Sequence, residues 1–338
     1  MKILVTGGCG FIGSNFIRYI LKKYPDYEVI NLDGLTYSGN LENLRDIKKD
    51  KRYHFKHGRI EDIDVVMDAI YSVDYVVHFA AETHVDRSIR DAQPFLITNI
   101  LGTHIMLETA RTTSVRKFIH ISTDEVYGTL GDEGLFTEET PLKPNSPYSA
   151  SKAAGDLLVH AYHETYGLPI VIVRPSNNYG HYQLPEKFIP LMITNLLSDK
   201  PIPVYGKGNN IRDWLFVEDS CAAIDTVMHY GRIGEVYNIG GNSEVRNIDL
   251  VRKVLKIIGK GEDYIKFVED RPGHDYRYAL DNSKIERELN WKPSVKIDEG
   301  LRMTVQWYVD NEWWWKPIKE RFGAESKGFW EGQPKYRR

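Results

Sequence analysis

Cysteine is scarce in this chain. Cys9 and Cys221 are the only two in 338 residues. They lie far apart, with no Cys-x-x-Cys or Cys/His spacing near them, which excludes a disulfide framework and a zinc site as organising elements. Long apolar runs are also lacking, and none approaches the ~20 residues that cross a bilayer, so no membrane partner is expected. Nor is there an excess of charge of one sign. Lys and Arg number 44 against 47 Asp and Glu, interspersed, for a net charge of -3. That balance offers no basic footprint for nucleic acid. There is no internal repeat and no low-complexity segment. Met1-Lys2-Ile3-Leu4-Val5-Thr6 runs straight into a strand, leaving no room for a secretory leader, and a cytoplasmic address is expected. With 42% hydrophobic residues, the chain can bury a large core, and its length suits two lobes.

What is present begins with a turn. After the apolar run Ile3-Leu4-Val5 come Gly7-Gly8-Cys9-Gly10-Phe11-Ile12-Gly13, and then Phe16, Ile17, Ile20 and Leu21 at helical period. A glycine turn between a strand and a helix lets the backbone approach a pyrophosphate, and the helix N-terminus presents unpaired N–H groups to it. Residues 29–32 form a second apolar strand that ends at Asp33, about 20 residues beyond the turn, where a carboxylate holds the adenosine ribose and repels a 2′-phosphate. NAD rather than NADP is therefore the expected cofactor. Small residues Ala80 and Ala81, after the buried strand 75–79, would let the backbone approach the same ligand.

The strand 117–122 leads into Thr123, Asp124 and Glu125, and a helical pattern then opens on Tyr148-Ser149-Ala150-Ser151-Lys152. Tyr148 and Lys152 are four apart, so on a helix they share one face, where an ammonium can lower the pKa of a phenol. A phenolate so placed is a general base for an alcohol.

Strand-like 53–57, helix-like 63–73, a long helical stretch 93–113, helix-like 153–166 and the apolar strand 170–173 complete an alternating pattern. That pattern predicts an α/β fold: a doubly wound, mostly parallel Rossmann sheet with helices on both faces. Beyond Pro175 the chain is broken by Pro185, Pro190, Pro201, Pro203, Gly206 and Gly208, consistent with a smaller, discontinuous α/β substrate lobe. The expected cofactor domain comprises residues 1–175, about 211–240 and 297–312. The lobe takes about 176–210, 241–296 and 313–338. Trp313, Trp314 and Trp315 are read as packing residues, and the polar tail 327–338 as loosely ordered.

The glycine turn, Asp33, Thr123 and the Tyr148/Lys152 pair together resemble the extended short-chain dehydrogenase/reductase family. Thr123-Asp124-Glu125 with Tyr148 is similar to its dTDP-glucose 4,6-dehydratase branch. The resemblance runs through Leu35-Thr36-Tyr37, residues 80–86, Ser176-Asn177-Asn178-Tyr179-Gly180, residues 211–214 and 270–275, and Asn311-Glu312-Trp313-Trp314-Trp315. It implies that Tyr148 takes the proton from the 4-hydroxyl of dTDP-glucose, helped by Lys152 and Thr123, as hydride leaves carbon 4 for NAD. Glu125 then removes the carbon 5 proton, Asp124 protonates the departing carbon 6 hydroxyl, and hydride returns to carbon 6. Such roles need two carboxylates in different protonation states.

The resemblance further implies a cofactor site of Gly7, Gly10, Phe11, Ile12, Gly13, Asp33, Leu35, Thr36, Arg59, Ile60, Ala80, Ala81, Asn99, Tyr148, Lys152 and Asn178. The implied nucleotide-sugar site is Thr83, His84, Thr123, Asn177, Lys187, Phe188, Pro203, Val204, Tyr205, Arg212, Asn247, Arg271 and His274, with no metal. Arg212 and Arg271 suit phosphate oxygens as guanidinium forks. A homodimer through the helices that follow Gln93 and Ser149 is also implied. Two positions depart from the family pattern: His181 stands where Pro is usual, and Arg59 where many relatives carry Asp near the adenine. The rival reading is a nucleotide-sugar 4-epimerase, which has no use for Asp124 and Glu125. A non-catalytic NAD-responsive protein has no use for the Tyr148/Lys152 pair.

Overall fold

The structure, a computed structural model, describes residues 1–325; the tail 327–338 lies outside the described residues. The first half runs β1 (Lys2–Thr6), α1 (Phe11–Lys23), β2 (Glu28–Asp33), β3 (Tyr53–His57), α2 (Ile63–Ile70), β4 (Tyr75–His78), α3 (Val85–Arg90) and α4 (Gln93–Leu96). A π turn over Ile97–Gly102 leads into α5 (Thr103–Arg111), β5 (Lys117–Ile121), α6 (Pro147–Tyr166) and β6 (Ile170–Pro175).

These strands and β10 (Val236–Ile239) form one seven-stranded sheet in the order β10-β6-β5-β4-β1-β2-β3. Every pairing within it is parallel. Alternation along β1 explains why both faces are covered. Ile3 and Val5 pack with Phe16, Ile17 and Ile224 on one side, while Leu4 packs with Val66, Met106 and Val159 on the other. Strands buried on both faces read as continuous apolar runs, which is how β1, β5 and β6 appear in the sequence. The strand order reverses between β1 and β4, so the loops at their carboxyl ends part and leave a crevice.

The remaining elements are β7 (Asn177–Tyr179), α7 (Phe188–Leu197), β8 (Ile202–Tyr205), β9 (Ile211–Phe216), α8 (Val217–Tyr230), β11 (Glu244–Arg246), α9 (Asn247–Ile258), β12 (Ile265–Val268), α10 (Ser283–Leu289), α11 (Ile297–Asp310) and α12 (Glu312–Glu325). β9 pairs with β7 in parallel and with β11 antiparallel, and β8 pairs with β12. A second core gathers Tyr179, Trp214, Phe216, Val251, Leu301, Tyr308, Trp314 and Trp315. Hence β9 and α11 contribute to this second core, whereas α8 and β10 belong to the large sheet and its cover. Trp314 and Trp315 are buried, as expected of packing residues, and Trp313 is exposed.

Two elements differ from expectation. The helix expected over 63–73 ends at Ile70, because Tyr71 leaves helical backbone and Ser72 takes a left-handed φ of 62°. The stretch 93–113 is helical from Gln93 to Arg111, as expected, but is interrupted by a π turn over Ile97–Gly102. Its π turn carries Asn99, whose amide holds both backbone groups of Glu82 (2.9 and 3.1 Å) and reaches Ser151 Oγ at 2.9 Å. A wider turn at that point is the usual form of a functional distortion in a helix.

Candidate active site

The crevice holds two adjoining cavities along the carboxyl ends of the large sheet's strands, with Thr83, Glu125, Asn177, Asn178, Gln183 and Lys187 lining both. Its floor is the glycine turn. Gly7 has a φ of 70°, and a Cβ there would stand 2.8 Å from the Ala80 backbone; one on Gly13 would meet Gly7 O at 2.5 Å. Helix α1 has no side chain capping its start, as its N-cap residue is Gly10. Its first N–H groups therefore remain available to an anion. Asp33 Oδ2 accepts from Cys9 N at 2.8 Å and Oδ1 from Leu35 N at 2.7 Å. Each oxygen keeps a lone pair for a ribose hydroxyl.

Of the expected cofactor residues, Gly7, Gly10, Phe11, Ile12, Gly13, Asp33, Thr36, Arg59, Ile60, Ala80, Ala81, Tyr148, Lys152 and Asn178 line this cavity. Leu35 lines a neighbouring depression instead. Asn99 lies one layer behind, holding Glu82 in place. The Arg59 guanidinium is turned to Glu61 (2.8 Å), whose carboxylate also accepts from Thr98 at 2.6 Å. His181 stacks on Trp307 with ring centroids 5.8 Å apart, and its carbonyl accepts from Asn15 at 2.9 Å. The position that departs from the usual Pro is thus a packing residue joining the loop to α1.

Helix α6 is started by a reciprocal cap between Ser146 and Ser149, with Pro147 in its first turn, and is stopped by Gly167 at φ 67°. These signals fix where Tyr148 and Lys152 stand. Opposite them, β5 ends in a short 3-10 turn over Asp124–Tyr127, in which Thr123 Oγ1 accepts from Glu125 N at 3.3 Å. Thr123, Asp124, Glu125, Tyr148 and Lys152 all face one cavity.

The carboxylates differ in surroundings. Burial, Glu125 and Asp213 push the Asp124 carboxyl well above the ordinary range. Glu125 is raised by burial too, but Arg271, Arg212 and Lys187 oppose that shift. Burial and like charge thus favour the protonated form at Asp124, while the facing cations favour the ionised form at Glu125.

The expected lowering of the Tyr148 pKa by Lys152 does not hold in the protein alone. Burial and Glu125 raise the phenol well above its ordinary value, with Thr123 offsetting part of the rise. Lys152 donates to Ile121 O at 2.7 Å, and burial brings its own pKa down to about 8.

Across the cavity, Thr83, His84, Asn177, Lys187, Phe188, Pro203, Tyr205, Arg212, Asn247, Arg271 and His274 come together as expected. Val204 does not join them: along β8 the residues alternate, and Val204 points into the second core. Arg212 donates to Ile211 O at 2.7 Å and Asp275 O at 2.9 Å and lies 4.3 Å over the Tyr278 ring. Arg271 pairs with the buried Asp86 at 3.2 Å. Burial and the two arginines bring His274 down to about 4, so it is neutral at pH 7. Buried Asn177 Oδ1, Asn178 Oδ1, Asn247 Oδ1 and Arg271 Nε have no protein partner. Unmet polar atoms clustered around one cavity fit a polar ligand.

Sequence reasoning missed Glu82, Asp86, Gln183, Glu186 and Trp214 in this lining. For Asp86 a signal existed, since a largely buried cation such as Arg271 needs a partner; Arg271 pairs with Asp86 at 3.2 Å, and the half-buried Arg87 with Glu186 at 3.1 Å.

A glycine cradle, a buried carboxylate at the end of β2 and a Tyr/Lys pair on a parallel sheet define a dinucleotide-dependent enzyme of the short-chain dehydrogenase/reductase type. The family profile described as “GDP-mannose 4,6 dehydratase” matches residues 4–304. The chain belongs to the NAD-dependent epimerase/dehydratase family, the extended short-chain dehydrogenases/reductases. It is 52% identical over 323 residues to the dTDP-glucose 4,6-dehydratase of Streptomyces niveus, covering 94% of this chain and 96% of that one. The dTDP-glucose 4,6-dehydratase of Streptomyces venezuelae, solved with NAD bound, is 50% identical with a TM-score of 0.92, covering 94% of this chain and all of that one. A UDP-glucuronic acid 4-epimerase from Bacillus cereus, also with NAD, is 32% identical with a TM-score of 0.87 over 92% of this chain and 99% of that one.

Proposed function

We propose that this protein dehydrates dTDP-glucose to dTDP-4-keto-6-deoxyglucose with NAD as resident cofactor. The observation that carries the reading is the pair Asp124 and Glu125, set at the end of β5 in unlike surroundings and facing Tyr148 and Lys152. The relatives' fold is shared with 4-epimerases, so the fold alone does not decide, but an epimerase needs no acid and base for water loss.

The glycine turn, Asp33, Ala80, Ala81 and Lys152 would hold NAD, which when bound supplies the hydride acceptor at carbon 4 and a positive charge favouring the phenolate. Tyr148 accepts the proton of the 4-hydroxyl, with Thr123 bonding the same oxygen and the charge of Lys152 joined by that of the bound cofactor to favour the phenolate. The carbonyl formed acidifies the neighbouring carbon 5. Glu125 takes that proton, and Asp124, held neutral by burial, gives its proton to the leaving hydroxyl on carbon 6; the hydride removed from carbon 4 would return to carbon 6 and a proton to carbon 5, which completes the product and restores the cofactor. Arg212, Arg271 and Lys187 bind the diphosphate as charge-assisted donors.

The two-lobe division is part of the same proposal, the large sheet holding cofactor and the second core holding the nucleotide sugar. So is a homodimer. Exposed Leu96, Ile97 and Leu101 on one helical segment and Leu157 and Tyr166 on α6 support an apolar mate for these helices. A cytoplasmic place of action fits a substrate and cofactor of this kind.

The test is a label. From dTDP-glucose deuterated at carbon 4, the deuterium should appear at carbon 6 of the product, with a solvent hydrogen at carbon 5 and no free NADH. A carboxylate exchanges its proton with water, whereas a hydride held on the cofactor does not. Label returning to carbon 4 of a galactose product would assign an epimerase instead.

A further inference from the structure

Behind the cavity wall lies a chain of buried polar groups that the proposed steps do not use. Asp156 follows Lys152 by one helical turn on α6 and is 2% exposed. Its Oδ2 accepts from Arg174 Nε at 2.8 Å, and its Oδ1 stands 3.5 Å from His120 Nε2. Arg174 in turn donates to Tyr127 Oη at 2.8 Å, and that hydroxyl donates to Asn238 Oδ1 at 2.8 Å. Tyr127 is the last residue of the turn that carries Asp124 and Glu125. The chain therefore ties three segments together: the helix bearing Tyr148 and Lys152, strand β6, and the acid–base turn.

The charges around Lys152 make Asp156 singular. His78, on β4, is held between Thr6 and Thr103 and is kept neutral by burial. His120, on β5, is lowered by burial and by Lys152 itself. Arg174, on β6, is a cation, and Tyr148, on the same helix, is a neutral phenol. Among the described residues, Asp156 is the one anion acting on Lys152 from the core side. A fully buried ion pair contributes little net stability against apolar packing; this one fixes geometry and charge where the chemistry needs both.

We propose that Asp156 is a positioning residue of the active site, its buried carboxylate keeping Lys152 charged from behind and, through Arg174 and Tyr127, holding the Asp124–Glu125 turn against helix α6. Burial alone lowers an ammonium pKa and a carboxylate one turn away raises it. Removal of that charge carries Lys152 below about 8, so the neutral amine forms at lower pH and the alkaline limb of activity moves down with it.

The experiment compares the wild-type protein with Asp156→Asn and Asp156→Glu. Lys152 is followed by NMR of the lysine ε-carbons, its resonance assigned by its loss in Lys152→Met, and kcat and KM are taken across pH. In Asp156→Asn the Lys152 midpoint should fall by about one pH unit or more. There kcat on the alkaline side should drop by about ten-fold while KM stays within about two-fold. Asp156→Glu should restore the midpoint. If the single variant does not accumulate folded, Asp156→Asn with Arg174→Gln removes both charges at once; the lost cation offsets part of the shift, so the Lys152 midpoint should fall by less than in Asp156→Asn, and a midpoint that does not fall overturns the proposal. An unmoved Lys152 midpoint overturns the proposal, as does a moved midpoint with an unmoved pH profile. The inference rests on the dehydratase reading for its kinetic arm alone. Wild-type protein inert toward dTDP-glucose defeats that reading, while the lysine titration still decides this one.

Discussion

Between β1 and α1 the cavity wall is backbone, whereas across the crevice, from Thr83 to Lys187 and from Arg212 to His274, it is charged and amide side chains. The half proposed to hold the cofactor comes largely from contiguous stretches: the turn 7–13, Asp33 at the end of β2, and Ala80 with Ala81 beyond β4. The other half is gathered from α3, β7, α7, β8, β9, α9 and the loop 270–275. A wall of backbone cannot be altered one group at a time, because each N–H belongs to the turn as a whole. A wall of side chains can lose one cation and keep the rest. Buried atoms without a protein partner occur on both sides: on Asn247 and Arg271 in the side-chain wall, on Ser122 and Asp124 at the end of β5, and on Asn177 and Asn178, which line both.

The largest effect that would test this contrast comes from one methyl group on the backbone wall. A Cβ on Gly13 meets Gly7 O at 2.5 Å and Gly8 Cα at 2.9 Å, neither of which can swing aside. Gly13→Ala should weaken NAD binding by about a hundred-fold or more and cost about 1–3 kcal/mol of stability through overpacking. Calorimetric titration with NAD and thermal unfolding measure both. Binding within a few-fold of wild type would show that the turn can rearrange and is not a fixed cradle.

On the side-chain wall, loss of one guanidinium should be felt by one ligand only. Arg271→Met removes the guanidinium proposed to bind the diphosphate and leaves the glycine turn untouched. KM for dTDP-glucose should rise about ten- to a hundred-fold, with NAD affinity unchanged. Arg271→Lys should recover part of the loss, since it keeps the charge but not the paired geometry. Equal loss of both ligands would mean that the Arg271–Asp86 pair supports the whole crevice rather than one half of it.

The contrast also accounts for what was legible in the sequence. Gly7 to Gly13, Asp33, Thr123 to Glu125 and the Tyr148/Lys152 spacing are local, and each meaning survives in a short window of sequence. So do β1, β2, β4, β5 and β6, because burial turns these strands into apolar runs, whereas β3 is polar and largely exposed. Asn99 was assigned to the cofactor by resemblance, but its position behind Glu82 depends on a π turn that no residue pattern in 93–113 announces. Val204 was counted with the ligand-facing residues, though the alternation of β8 turns it to the core. Asp86 and Glu186 were passed over because a single carboxylate carries no spacing signal; only the fold brings it to Arg271 or Arg87. The lowering of the Tyr148 pKa was read from spacing alone, and spacing says nothing about the burial that outweighs it.

The smallest effect is expected at Arg59, the one position of the cofactor half where the side chain departs from the family pattern. Its guanidinium is about half exposed and paired with Glu61, and such partly solvated pairs contribute roughly 0–1 kcal/mol. Glu61 does not depend on it entirely, since Thr98 also donates to that carboxylate at 2.6 Å. Ile60, by contrast, is buried and lines the cavity, so the adenine end is shaped by backbone and an apolar side chain whatever stands at 59. Arg59→Ala should therefore change NAD affinity by less than about three-fold, and the residual effect should shrink as salt is raised, because an exposed charge is screened. A ten-fold loss that persists at high salt would place the guanidinium in direct contact with the cofactor. The backbone account of this half of the crevice would then fail where it is most open to a side chain.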